Sequence, residues 1–184
     1  MPLPRVCVVV LLSVMAWPCL VMARPEAPQE QRQQACATEV PSNIRAGMVT
    51  SEVIALLRAS DTFRAQCQRI AADPRVQVHL EIVTGVDAGG RAQTALRRFQ
   101  SGALVADVEL LFGENYRELL AHEFEHIIEQ IEGVNLSREA ADGRAWRLPG
   151  GAFETRRAFL VGVQVLREAE SMHTHAVVVA HAAR

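Results

Sequence analysis

Hydrophobic and polar residues alternate along the middle of the chain in a way that predicts three short strands. Over residues 76–84 apolar side chains occupy every second position, which is the period of a half-buried strand. Two further strands fit residues 92–100 and 103–111, joined by a turn at Ser101-Gly102. Because the connections are short, the pattern predicts a small antiparallel sheet of three strands arranged as a meander.

Helical periods flank these strands on both sides. The predicted helices cover residues 51–59, 61–72, 115–132 and 152–171, with a polar, small-residue stretch over residues 135–151. Thr50 or Ser51 can cap the first helix, Ser60 can cap the second, and Gly133 can end the third. Strands followed by helices in this proportion indicate an α+β domain.

The first residues have the character of an export signal. Arg5 precedes an apolar run, and Val21-Met22-Ala23 supplies the small residues that signal peptidase prefers. A membrane anchor is the alternative, but the run is short for a span and Pro18 interrupts it. We therefore expect a secreted or periplasmic protein without a stable membrane span. The expected division is a signal peptide over residues 1–23, a flexible leader over 24–34, the domain over 35–172 and a tail over 173–184.

Removal of the signal changes the number of cysteines. Cys7 and Cys19 belong to the signal, so the exported chain keeps Cys36 and Cys67. Two cysteines in an oxidising compartment favour a single disulfide, the alternative being two unpaired thiols.

Composition and charge exclude several kinds of function. All 19 basic residues are Arg and none is Lys, which removes Schiff-base enzymes, pyridoxal enzymes and P-loop phosphate sites. The formal net charge of −2 and the lack of a basic cluster argue against a nucleic-acid partner. We expect a monomer acting on a peptide or protein.

The third predicted helix contains the motif His122-Glu123-Phe124-Glu125-His126, an HExxH sequence. Residues four apart lie on one face of a helix, so both imidazoles can bind one metal ion. The helix also has an apolar face, and an acidic face with Glu118, Glu125, Glu129 and Glu132 that we expect to be solvated. The alternative is a pair of surface histidines, which would not explain a separate His/Glu face.

A catalytic zinc site requires a third protein ligand. Glu154 is the preferred candidate, because it lies near the start of a largely apolar helix where a buried carboxylate needs a partner. A salt bridge to Arg156 or Arg157 is the simpler alternative. The other candidate ligands are Asp142, Glu139, His173 and His175.

The motif followed by Glu154 resembles the zincin superfamily of metallopeptidases, in its gluzincin branch. The resemblance covers roughly residues 103–171. It implies a zincin-like fold in which an active-site helix and a C-terminal ligand-bearing helix pack on the sheet. It also implies one Zn²⁺ ion held by His122, His126 and Glu154, and peptide-bond hydrolysis by a metal-activated water with Glu123 as general base. The strand over residues 103–111 would be the edge strand that holds an extended substrate.

Two other classes of function remain open. One is an exported zinc-binding or interaction domain that keeps the HExxH site with little or no catalysis. The other is a disulfide-stabilised interaction domain in which the two histidines bind no metal. For a donor to the oxyanion, the sequence offers only weak candidates: Tyr116 has the position of a packing residue, and His173 and His175 fit a solvated tail.

Overall fold

The computed structural model describes residues 39–86, 90–149 and 151–182, with the backbone alone over residues 173–182. The predicted signal peptide, the leader and Cys36 lie outside the described residues. Within them, no helix is both long enough and apolar enough to cross a bilayer.

Helices and strands follow one another in groups, which is the α+β arrangement that the hydrophobic pattern predicts. The strands are β1 (Ile44–Arg45), β2 (Val76–Val83), β3 (Ala92–Arg98), β4 (Leu104–Leu111), β5 (Ala145–Arg147) and β6 (Phe153–Thr155). The helices are α1 (Thr50–Ala59), α2 (Asp61–Ala71), α3 (Tyr116–Ile131), α4 (Leu136–Ala141) and α5 (Arg156–Ala182), with a 3₁₀ turn at Gly47–Val49 before α1.

The main sheet has four strands in the order β1-β2-β4-β3, so the predicted three-stranded meander is wrong. β4 lies between β2, to which it is parallel, and β3, to which it is antiparallel. Composition explains this order: β2 and β4 bury a row of Val and Leu side chains, whereas β3 carries Gln93, Arg97 and Arg98 and forms the edge. β1 has only two residues, too few for a period to be visible in the sequence.

The helices pack on one face of this sheet and enclose the core. Phe63 of α2 stacks on Phe124 of α3 with ring centroids 5.3 Å apart. α5 packs along α3, and Gly162 makes this close approach possible. A Cβ atom at Gly162 would lie 3.1 Å from the Glu118 carbonyl oxygen and 3.3 Å from the His122 Cβ atom. The side of α3 that bears His122 is therefore held against α5.

Of the three predicted helix-end signals, Ser60 and Gly133 are confirmed, and Asn115 is a further cap that was not predicted. Ser60 accepts a hydrogen bond from the Phe63 amide at the start of α2, and Asn115 accepts one from the Arg117 amide at the start of α3. Gly133 ends α3 with a φ of 71°. The predicted cap of α1 is wrong: the N-cap is Val49, and the Thr50 hydroxyl donates instead to the Gly47 carbonyl.

The segment between α3 and α5 is more ordered than its composition suggests. The stretch predicted as polar connection contains α4 and β5, and β5 pairs with β6 in a second, two-stranded sheet. Because residues 153–155 pair as a strand, α5 begins at Arg156 rather than at residue 152. The helix continues to Ala182, through the residues that we expected to form a tail.

Candidate metal site

His122 and His126 lie one turn apart on the same face of α3, as their spacing predicts. Their rings are edge to face with centroids 5.0 Å apart. Both side chains are mostly buried and line a cleft of about 410 Å³ between β3, α3 and the β5–β6 hairpin.

Glu154 reaches this pair from β6 rather than from the last helix, where the sequence suggested it. Its Oε2 atom lies 3.0 Å from His122 Nε2, and its Oε1 atom lies 3.5 Å from His126 Nε2. The alternative salt bridge to Arg157 is not formed, because that guanidinium pairs with Glu125 and Glu132 instead. The two histidines and Glu154 thus form a group that could hold a metal ion.

One donor atom from each of the three residues lies within 4.8 Å of the donor atoms of the other two, so a single ion between them could contact all three. Two imidazoles and one carboxylate are also a ligand set used by catalytic zinc, with a fourth position left open.

The other candidate ligands have different partners. Glu139 and Asp142 both bond to Arg144, and none of these three residues lines the cleft. The side chains of His173 and His175 lie outside the described part of the chain. The Tyr116 hydroxyl accepts a hydrogen bond from the Gly113 amide while its ring packs on the core, which agrees with a packing role.

Glu123 is buried beside the three candidate ligands and is only 5% exposed. The hydroxyl of Thr94 on β3 donates a hydrogen bond of 2.6 Å to its Oε2 atom. Burial raises the pKa of Glu123, while the charges of His122 and His126 and the bond from Thr94 act in the opposite direction. A carboxyl group with a raised pKa, in a cleft beside a metal-ligand group, is suited to accepting and returning a proton.

The acidic face of α3 is not solvated as predicted: Glu125 and Glu129 are buried. Both carboxylates bond to other side chains, because α2 and α5 cover this side of the helix. The helical period in the sequence cannot reveal which elements cover a given face. Glu125 accepts from Gln66 and pairs with Arg157. Glu129 lies 3.0 Å from His126 Nδ1 and accepts a hydrogen bond from the Thr155 hydroxyl. Glu129 is therefore part of the site, which the helical period alone did not indicate.

Electrostatic interactions among the candidate ligands and their neighbours are strong. Burial acts against protonation of His126, yet its hydrogen bonds with Glu129 and Glu154 raise its pKa to about 10. Burial also opposes ionisation of Glu154, yet its bonds with the two histidines lower its pKa to about 2. The group thus concentrates negative charge around two imidazoles, which is the environment that a cation requires.

The strand beside the site is β3, not the strand over residues 103–111 as expected. That segment is β4, whose backbone groups are paired on both sides, so it cannot accept another strand. Among the described residues, β3 is paired only with β4, and its residues 92–96 line the cleft. The opposite wall carries mainly apolar side chains, from Leu136, Leu148, Ala152 and Phe153.

Comparisons of the chain with models of protein families, with curated proteins and with solved structures found no match. The interpretation of the site therefore rests on the chemistry and geometry of its own residues.

Proposed function

We propose that this protein is an exported zinc-dependent metallopeptidase of the gluzincin type. The observation that carries the proposal is the position of buried Glu123 beside the group formed by His122, His126 and Glu154, within an open cleft. A binding domain would need the ligand group alone, whereas a hydrolase also needs a carboxylate that can move a proton.

The residues of the site have distinct roles in this mechanism. His122, His126 and Glu154 would hold the zinc ion, which when bound supplies Lewis-acid polarisation and lowers the pKa of water. Thr94 holds one oxygen of Glu123, and the other oxygen takes the proton from the attacking water. Glu123 then returns this proton to the leaving amine, so the carboxylate is regenerated at the end of the cycle.

The walls of the cleft favour an extended peptide as substrate. The outer edge of β3 offers backbone groups to which a peptide can add as a further strand. The apolar wall with Leu148 and Phe153 lies across the cleft from this edge and can cover side chains of a peptide held there.

Replacement of Glu123 by Gln tests the catalytic part of the proposal. Glu123→Gln keeps the shape of the side chain but cannot take a proton, so we expect peptide hydrolysis to fall by about 10² to 10⁴-fold. Zinc content, measured on protein purified without a His tag, should remain at one ion per chain. Glu118→Gln on the same helix is the matched control and should keep full activity. Full activity in Glu123→Gln would contradict the mechanism, and zinc binding without hydrolysis in the wild type would favour a non-catalytic domain.

The identity of the third ligand is tested by zinc stoichiometry. We expect Glu154→Ala to lose most of its zinc, because two imidazoles alone leave the ion with half of its tetrahedral ligands. Glu139→Ala and Asp142→Ala should keep zinc, since both carboxylates bond to Arg144 away from the site. Loss of zinc in either of these two variants, with retention in Glu154→Ala, would assign the ligand elsewhere.

A further inference from the structure

Thr155 occupies an unusual position immediately after Glu154. It is the last residue of β6, directly before α5, and is only 3% exposed. Its hydroxyl accepts a hydrogen bond of 3.0 Å from the Ala158 amide, so it caps α5. The same hydroxyl donates a hydrogen bond of 2.7 Å to Glu129 Oε1. One side chain thus joins the start of α5 to a buried carboxylate of α3.

Thr155 is linked to two of the candidate metal ligands, to Glu154 directly and to His126 through Glu129. The Thr155 amide donates a hydrogen bond of 2.7 Å to Glu154 Oε1. On the other side, Glu129 Oε2 lies 3.0 Å from His126 Nδ1, the ring nitrogen that does not face Glu154. A hydrogen bond at Nδ1 fixes the orientation of an imidazole and makes its other nitrogen a better ligand.

The burial of Glu129 requires such partners. It is 2% exposed, and a carboxylate removed from water is costly unless its oxygens are bonded. Thr155 satisfies one oxygen and His126 the other. Without the Thr155 hydroxyl, the Glu129 carboxylate would lose the bond that fixes its rotation, and the His126 ring would lose its fixed orientation.

We propose that Thr155 is a positioning residue that sets the metal affinity of the site, acting on His126 through Glu129 and on Glu154 through its own backbone. The proposal requires that the site binds a metal, as the proposed function does, but it does not require that the protein hydrolyses peptides. Outer partners of metal ligands typically change metal affinity by 10 to 100-fold when they are removed.

The test measures zinc dissociation constants by competition with a chromophoric chelator. Thr155→Val keeps the shape of the side chain without its hydroxyl, and we expect about 10 to 100-fold weaker zinc binding. Thr155→Ser keeps the hydroxyl and should bind zinc within about threefold of the wild type. Thr62→Val is the matched control, because the Thr62 hydroxyl joins α2 to α5 and neither it nor its partners line the cleft. It should lower the thermal midpoint but leave zinc affinity unchanged.

Three results with the variants would overturn the proposal. The first is a folded Thr155→Val variant that binds zinc as tightly as the wild type, and the second is a Thr155→Ser variant as weak as Thr155→Val. If Thr155→Val does not fold, Glu129→Gln probes the same connection, and unchanged zinc affinity in that variant is the third. A wild type that binds no zinc would overturn the proposed function as well. A wild type that binds zinc without hydrolysing peptides would leave the role of Thr155 measurable by the same titration.

Discussion

Thr94 lies between two apolar residues, Ala92 and Leu96, in a row of β3 side chains that face the helices. Ala92, Thr94 and Leu96 are paired with Leu110, Val108 and Ala106 of β4, whose side chains are buried under the helices. An apolar residue would therefore suit the position of Thr94 equally well for packing. Its hydroxyl instead bonds to Glu123, so the edge strand and the proposed general base are directly connected.

Thr94→Val should lower kcat while leaving KM and zinc content nearly unchanged. A hydrogen bond to a charged group contributes about 1.5–3 kcal/mol, which corresponds to roughly 10 to 100-fold in rate if it is fully expressed in the transition state. Steady-state kinetics on a peptide substrate would measure the effect, and Thr94→Ser should restore most of the rate. In the Glu123→Gln background, Thr94→Val should have no further effect. An equal loss in that background would mean that Thr94 acts independently of Glu123.

The two histidines and Glu154 were the part of the site that the sequence predicted. The two histidines share a helix face because four residues make about one turn, and this geometry needs no tertiary contact. Glu154 could be proposed because a carboxylate in an apolar segment requires a partner. The roles of Thr94, Glu129 and Thr155 depend on contacts between β3, α3 and the start of α5. A helical period cannot reveal which element covers a given face, so Glu129 was expected in solvent.

At the scale of the elements, hydrogen bonds of Glu168 connect α5 to the start of α2. This carboxylate accepts hydrogen bonds from the hydroxyls of Ser60 and Thr62 and from the Thr62 amide. It therefore lies against the positive end of α2, where a negative charge is stabilised. Although burial opposes ionisation, the bonds from Ser60 and Thr62 lower the pKa of Glu168 to about 2.

This contact predicts a defined dependence of stability on pH. The pKa of Glu168 is about 2 in the folded protein and near its ordinary value of 4.5 in the unfolded chain. Its contribution to the free energy of unfolding is therefore complete above about pH 4.5 and is lost as the pH falls towards 2. Thermal unfolding of the wild type and of Glu168→Gln from pH 7 to pH 2 should give midpoints that converge at the acidic end. A difference that stays constant over this range would show that the charge of Glu168 is not responsible.

For the whole molecule, the sequence predicted the class of fold and the extent of most elements but not how the strands are ordered. Strand periods are local, so the limits of β2 and β4 were found to within one residue. The order β1-β2-β4-β3 depends on which strands have a neighbouring strand on both sides. The predicted meander was based only on the shortness of the connections between strands. The polar residues of β3 were the available sign that this strand lies at an edge. The correction matters for function because it places the open edge at the cleft.

A second feature of the whole molecule is the contact between the start of the domain and Cys67 of α2. Cys67 of α2 is 1% exposed, and burial raises the pKa of its thiol to about 12. It lines a cavity of about 550 Å³ together with Glu39, Val40 and Pro41. Cys67 forms no disulfide within the described residues, which do not include Cys36. In the sequence, however, Cys36 comes shortly before Glu39, which lines this cavity.

We therefore expect Cys36 and Cys67 to be joined when the protein folds in an oxidising compartment. A bridge closing a loop of about 32 residues would stabilise the fold by roughly 3 kcal/mol, mainly by restricting the unfolded chain. Peptide mapping without reductant should then yield one linked peptide containing both cysteines, and reductant should lower the thermal midpoint. Cys36→Ser should have the same lowered midpoint with and without reductant. Alkylation of both thiols in unreduced, denatured protein would contradict the bridge, and Cys67 would then be a buried packing residue whose high thiol pKa protects it from oxidation.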